Sequence, residues 1–306
     1  MREKWERFKK SYIWYSFRRD KVAILSTGVF LFLLFCAVFA PLVAPYYPYA
    51  PENIDILSSE LPPVWMDGGS EDYLLGTDAQ GRDMLSTMIY GMRISIIIGI
   101  GAVILQAMLG IVIGLISGYF GGRLDNFFMR TADVQLSFSY LMVAIFLSAV
   151  LQTAVGVGRF NEIAVPFLIL VIGLAQWPQY ARTVRASVLA EKKKEYVEAA
   201  RVAGFNSQRI MWKHILPNCM SPILVLSTIQ VANAVMSEAA LSFLGLGMPI
   251  TRPSLGSLIN SGFEYIFSGS WWITAFPGVL LVVLVLAVNL LGDWLRDVLN
   301  PKLYKA

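Results

Sequence analysis

This chain is poor in the residues that do chemistry. Its 306 residues include one histidine, His214, and two cysteines, Cys36 and Cys219. A single histidine leaves no serine–histidine–acid set and no cluster with metal-ligand spacing. His214 sits in a polar run and reads as a loop residue rather than a ligand or a base. The cysteines fall in or beside apolar segments near opposite membrane faces, so neither a disulfide nor a metal pair is expected. The glycine-rich return Gly118-Tyr119-Phe120-Gly121-Gly122-Arg123 has no Gly-Lys-Ser/Thr after it, and none occurs elsewhere. The chain therefore has no P-loop, and any nucleotide must be held by a partner. Charge is scarce too. Charged residues make up 15% against 56% hydrophobic, with a mean hydropathy of +0.59. That excludes an ordinary soluble domain and points to a polytopic membrane protein.

What the chain does have is apolar runs. Six are long enough to cross a bilayer, at about 22–44, 94–118, 125–153, 163–180, 220–241 and 273–291. The net charge of +4 comes from cations beside these runs, which signals membrane orientation rather than nucleic acid. Residues 1–21 interleave Arg2, Lys4, Arg7, Lys9, Lys10, Arg18, Arg19 and Lys21 with aromatics, as an interfacial cytoplasmic tail does. Residues 22–44 are long for a signal-peptide core, and Pro41 follows the one plausible cleavage residue, Ala40. An uncleaved signal-anchor is expected. Six spans place both termini on one side. Of the 25 Lys and Arg, all but Arg82, Arg93, Arg159 and Arg252 then fall inside, as the positive-inside rule requires.

The expected fold class is all-α, a polytopic bundle of six transmembrane helices with both termini cytoplasmic. Its parts are a tail (1–21), a first transmembrane helix (22–44), an acidic extracytoplasmic loop (45–92), a five-helix core (93–297) and a C-terminal tail (298–306). Gly99, Gly101, Gly110, Gly114 and Gly118 give the second span the small-xxx-small pattern of close helix packing in lipid. Arg130 and Asp133, three apart, are placed to pair. Trp271 and Trp272 read as an interfacial aromatic belt. Glu238, near the outer end of the fifth span, is an ionisable group at depth. It is a functional candidate, or else a carboxylate that pairs with or caps a neighbouring helix. Gln106, Gln152, Gln176, Asn233 and Asn289 are candidates, with Glu238, for a polar translocation path.

The longest polar run between spans is 192–218, KKKEYVEAARVAGFNSQRIMWKHILPN. It reads as two short helices on a glycine hinge. Ala199, Ala200 and Ala203 form a small-residue face, and Gly204 sits at a left-handed C-cap. Asn206 and Ser207 cap the second helix, and Pro217 limits its length.

These residues carry a family resemblance. Glu198-Ala199-Ala200, Gly204 and Leu216-Pro217 resemble the EAA loop of importer-type ATP-binding-cassette (ABC) permeases. HILPN (214–218) is the peptide-branch form of it. Gly76-Thr77-Asp78, Gly81-Arg82-Asp83 resembles the GTDxxGRD segment of dipeptide, oligopeptide and nickel permeases. WPQYARTVR, SEAALSFLGLG and FPG…NLLGDxLRDxLxP are similar to further blocks of that branch. Its MRxxD stretch usually has a proline six residues after the aspartate. Ser139 stands there, so a proline kink does not carry over.

The resemblance implies a type I ABC importer permease, C-type, in a prokaryotic plasma or inner membrane. It implies a second homologous permease as heterodimer partner, two cytoplasmic ABC ATPases holding ATP and Mg, and an extracytoplasmic substrate-binding protein. This chain itself is expected to bind no cofactor, metal or nucleic acid and to catalyse nothing. The ATPase-coupling residues carried over lie in 190–217: Glu195, Glu198, Ala199, Ala200, Arg201, Gly204, Phe205, Leu216 and Pro217. Lys192, Lys193, Lys194 and Arg201 are expected to pair with acidic groups of the ATPase. The implied cargo is an oligo- or dipeptide, with nickel as the alternative in the same branch. An ion-gradient secondary transporter predicts acids or broken helices at the midplane and an inverted repeat. An intramembrane enzyme predicts paired Asp, His or Ser groups at depth.

Overall fold

The computed structural model describes residues 12–50 and 53–299. The cations expected at positions 2–10, the side chain of Arg159 and the tail from 300 onward lie outside the described residues. Among the described residues the architecture is helical, with one isolated bridge between Thr77 and Asp83. A short α1 (Tyr12–Arg19) leads to α2 (Lys21–Val38) and a one-turn α3 (Ala40–Val43) with Pro41 in its first turn. Asp20 starts α2 by accepting the Val22 and Ala23 amides at 2.9 and 3.1 Å, satisfying two of the orphan donors of its first turn. Then come α4 (Met84–Phe120), α5 (Gly122–Leu136), α6 (Tyr140–Val155), α7 (Val157–Glu191), α8 (Glu195–Val202), α9 (Ser207–Arg209), α10 (Met220–Phe243), α11 (Leu255–Phe263) and α12 (Trp272–Val298). Among the described residues, five helical runs are long and apolar enough to cross a membrane, or six if the bent α5–α6 pair makes one span.

The central seam is α4 against α7. Lipid tails are as apolar as leucine, so close packing rather than transfer from water must hold such a pair. The glycines allow it. A methyl on Gly114 would lie 2.7 Å from both the Ala181 carbonyl and Val184 Cβ, and one on Gly118 would lie 2.8 Å from Val188 Cβ. Both are closer than atoms tolerate, so only glycine lets the backbones meet. Ile98, Leu115, Leu168, Ile172, Val184 and Val188 fill the rest of this core. A second cluster joins α2, α4, α10 and α12 through Leu33, Ile96, Val235, Leu284 and Val288.

Three local expectations change. The run read as one third span is two helices meeting at 93°. A bend exists without a proline. Ser137, Phe138 and Ser139 leave the helix, Ser137 Oγ donates to the Val134 carbonyl at 2.6 Å, and Ser139 takes an extended conformation. Serine hydroxyls that bond nearby backbone compete with the helix ladder. Second, Pro217 does not end the helix before it. Leu216 is helical (φ −54°, ψ −45°), Ile210–Ile215 winds as a π-helix, and Pro217 falls in the first turn of a 3-10 segment (Leu216–Cys219), where its missing donor costs least. The result is one run from Ser207 to Phe243. Third, Asp133 pairs with Arg182 of α7 instead of Arg130.

Candidate functional site

The GTDxxGRD segment builds a knot rather than a reactive pair. Gly76 and Gly81 take left-handed φ of +78° and +75°, so the chain doubles back on itself. Asp78 accepts from the Gln80 and Arg82 amides at 2.9 and 3.0 Å and from Arg82 Nε at 2.7 Å, with Arg82 Nη2 at 2.6 Å. Both side chains are buried, and Arg82 Nη1 donates to the Ile250 carbonyl at 3.1 Å. Asp83 faces another way. It caps α4, accepting from the Ser86 amide and hydroxyl at 2.8 and 2.5 Å. Burial pushes its carboxyl above the usual range against the pull of those Ser86 bonds. Thr77 Oγ1 donates to the Ser58 carbonyl and accepts the Leu61 amide. Trp272 is buried and its Nε1 donates to the Thr77 carbonyl at 3.3 Å, so of the expected aromatic belt only Trp271 is exposed.

The polar residues of the spans divide. Gln106 of α4, Gln176 of α7 and Gln230 of α10 meet in the interior. Gln230 Nε2 lies 3.3 Å from Gln106 Oε1 and 3.1 Å from Gln176 Oε1, while Gln176 Nε2 donates to Ser237 Oγ at 3.1 Å. Asn233, half-buried, donates to Gln230 Oε1 at 2.8 Å. Glu238 is fully buried. Ser95 of α4 and Ser242 donate to its carboxylate at 2.7 and 2.6 Å, beside the N-terminus of α11. Gln106, Gln176 and Glu238 are thus enclosed within this one chain and hold helices together. Gln152 donates to the Leu246 carbonyl at 3.1 Å, and it and Asn289 remain half-buried. Gln230 escaped the sequence reading. Its signal was the polar stripe Gln230, Asn233, Ser237 on one helix face. An apolar cavity of about 740 Å³ opens in the angle of α5 and α6, lined by residues such as Val134, Phe138, Met142 and Trp177. Its walls offer almost no partners for a peptide backbone or charged termini.

The loop of 192–218 is a built helix–turn–helix. Its turn is a Schellman motif: the Phe205 amide reaches the Ala200 carbonyl at 3.1 Å, the Gly204 amide reaches Arg201, and Gly204 has φ +79°. Asn206 then caps α9 by accepting the Arg209 amide at 2.9 Å. Phe205 stacks on His214 with ring centroids 5.6 Å apart, and the Arg209 guanidinium lies 4.4 Å over Phe205. Helix α8 has two faces. Val197 and Ala200 are buried in the bundle core. Glu195, Glu198, Ala199, Val202 and Ala203 are exposed at helical spacing, with Val202 90% exposed. The small-residue face is therefore split, with Ala199 and Ala203 outward and Ala200 inward. Leu216 is half-buried and Pro217 exposed. The cations are mostly engaged within the chain. Lys192 donates to the Gly118 carbonyl, Lys194 pairs with Glu191, and Arg201 lies over Tyr119. Among these, only Lys193 has no partner among the described residues.

Comparisons with known proteins fit this layout. The family described as "Binding-protein-dependent transport system inner membrane component" matches residues 110–305, and "N-terminal TM domain of oligopeptide transport permease C" matches residues 1–63. The chain is 39% identical over 293 residues to the di/tripeptide transport system permease protein DppC of Pseudomonas aeruginosa, covering 96% of this chain and 92% of that one. It is 40% identical over 290 residues to the dipeptide transport system permease protein DppC of Escherichia coli K12, covering 95% and 92%. A structure of the MetNI methionine ABC transporter in inward-facing form aligns with a TM-score of 0.56 at 20% identity, covering 71% of this chain and 98% of that chain. That likeness is one of fold. The family match spans most of the helical core, and the relatives align over nearly the whole chain. The chain therefore belongs to the binding-protein-dependent transport system inner membrane component family, as an integral membrane permease subunit.

Proposed function

We propose that this chain is one of two permease subunits of an ABC importer that carries short peptides into the cell. The observation that carries the reading is the exposed face of α8, Glu195, Glu198, Ala199, Val202 and Ala203. A helix that places a 90%-exposed valine and two alanines beside two carboxylates, next to a well-defined turn, is shaped to be covered by another protein. In this reading separate ATPases cover it, bind ATP and Mg, and hydrolyse ATP. Both termini lie on the same cytoplasmic side as the loop. The knot around Asp78 and Arg82 holds the outer loop in place, opposite a binding protein that delivers cargo. The relatives named above are peptide permeases, which favours peptide over nickel. Asn233, Asn289 and Gln152, half-buried here, are the polar residues left to line a path shared with the second permease.

The test is co-purification from the native membrane. Wild type should bring two ATPases and a second permease, and Glu198→Lys should lose the ATPases while keeping the permease. A wild type that comes out alone or as a homo-oligomer refutes the importer reading.

A further inference from the structure

The coupling loop is joined to the bundle by two backbone turns, Lys192–Lys194 before α8 and Ala203–Asn206 after it. Backbone turns can swivel. The apolar contacts of Val197 and Ala200 resist separation but are not directional. One polar cluster does fix direction. Tyr196, on the first turn of α8, donates its hydroxyl to Glu191 Oε2 at 2.6 Å. Glu191 is the last residue of α7. Asn218 donates to the same hydroxyl at 3.2 Å and to the His214 carbonyl at 2.8 Å, within the run that becomes α10. Lys194 closes the cluster by pairing with Glu191 Oε1 at 2.6 Å. One half-buried phenol thus bonds to the end of α7 and the start of α10 across the base of the loop.

We propose that Tyr196 is a positioning residue for energy coupling, the strut through which α8 moves as one body with α7 and α10. The proposal rests on the reading of this loop as the ATPase-docking element. A strut is needed because α8 is short. A pull on its outer face would otherwise rotate it about the two turns and leave the long helices still. The bond to Glu191 is charge-assisted and so among the stronger and more directional ones available. Burial, and after it the Glu191 carboxylate, push the phenol up to about 12, so it stays a donor at physiological pH. Tyr196 does not lie on the exposed face of Glu195, Glu198, Ala199 and Val202. Its loss should therefore leave docking intact.

The experiment reconstitutes the full complex in liposomes with the binding protein. Uptake of a labelled dipeptide and ATP hydrolysis are measured in the same vesicles. Wild type without ATP-driven uptake refutes the docking-loop reading and the strut with it. With a working wild type, Tyr196→Phe should retain the ATPases and hydrolyse ATP, while uptake per ATP falls about tenfold, the equilibrium worth of one charge-assisted hydrogen bond. Glu191→Gln still accepts from the phenol and should stay within about threefold of wild type. An unchanged uptake per ATP in Tyr196→Phe overturns the proposal. So does a parallel fall of uptake and hydrolysis, or loss of the ATPases. If Tyr196→Phe fails to accumulate, Asn218→Ala, which removes the other arm, is read by the same ratio. Failure of both to accumulate also overturns it, because the cluster would then be a folding element.

Discussion

Removing Asp78 should harm this protein more than removing its partner Arg82. Asp78 takes four bonds, two from backbone amides and two from the guanidinium, and the pair is buried. In Asp78→Ala the guanidinium keeps one acceptor, the Ile250 carbonyl, and its charge is left buried without a counter-charge. Stranding a buried charge costs about 3–5 kcal/mol. In Arg82→Met the apolar stem is largely retained, and Asp78 keeps both amide donors. The loss there is roughly 2–3 kcal/mol, the penalty of a buried charge that keeps part of its hydrogen bonding. The double variant removes both charges of the pair, so neither is left stranded. It should cost less than Asp78→Ala alone, with a coupling of about 2 kcal/mol or more in the cycle. The segment 53–83 opens when this knot fails, so the assay is native-state proteolysis of that segment in detergent, read as an opening free energy. The reasoning is refuted if Arg82→Met opens the segment more readily than Asp78→Ala, or if the two single effects simply add.

Four further outcomes follow from particular contacts. Gly114→Leu should cost more than the roughly 1–3 kcal/mol of ordinary overpacking, because backbone and not a flexible tip blocks it; membrane accumulation and thermal unfolding read the loss. Gly204→Ala should weaken the loop by only about 1 kcal/mol, the backbone cost of a positive φ, since nothing crowds that position, and Gly204→Asn should cost less; ATPase retention ranks the two. Glu238→Ala strands the Ser95 and Ser242 hydroxyls and leaves a hole, costing about 2–4 kcal/mol, whereas Glu238→Gln should cost about 1 kcal/mol; comparative thermal unfolding separates them. Asp83 has a folded carboxyl pKa raised by burial, so its favourable contribution is present at low pH and is lost as pH rises through that value. Asp83→Asn keeps a good cap and should flatten the pH dependence of loop opening above the ordinary carboxylate range, as measured by the same proteolysis.

The sequence was most legible where chemistry is local. Gly204 and Asn206 announced a cap and a hinge, and both sit in those roles. Gly110, Gly114 and Gly118 announced a tight seam, and α7 fills it. It was least legible where partners are far apart in the chain. Asp133 has Arg130 three residues away, yet binds Arg182 across to another helix. Helical spacing makes two residues neighbours, but only the tertiary arrangement decides whether a better-placed cation arrives. Gln106, Gln176 and Glu238 looked like path residues because polar groups in an apolar span need a reason. Their partners, Gln230, Ser237, Ser95 and Ser242, supply a structural one that no single span displays. The short α11 lies between the fifth and sixth expected spans and has no apolar run of its own to announce it. Its capping box, Ser254 with Ser257, is too short a signal to stand out among turn residues. Pro217 misled because proline rules assume a continuous α-helix, whereas the chain before it winds as a π-helix and Pro217 itself opens a 3-10 turn.

A transporter of this kind needs stiff parts to carry a pull and soft parts to turn it into opening, and the chain separates the two. Helix α7 runs 35 residues, and the run Ser207–Phe243 is 37 residues, both leaving the same loop. Lys192 ties that loop to the end of α4 as well. A displacement of α8 therefore reaches three long helices together. The soft places lie on either side of α5. Gly121 and Gly122 have φ of +68° and +60° with open space around them, and Ser137–Ser139 is the 93° break. Between those hinges α5 is held to α7 by polar contacts: Asp125 with Arg185 at 2.5 and 2.6 Å, Asp133 with Arg182, and Gln135 with the Leu174 and Ala175 carbonyls. These bonds can be exchanged one for another, and the apolar packing beside them is a small cluster around Ala132, Trp177 and Ala181, less than the large core that holds α4 to α7. If alternating access in this subunit is a rigid-body change, α5 is where its bonds should break. Arg185→Lys should shift the resting balance of states, because a lysine cannot reproduce the two-pronged grip on Asp125. A spin-label pair on α5 and α7 would report it as a broadened or displaced distance. An unchanged distribution, with and without ATP, would place the moving joint elsewhere.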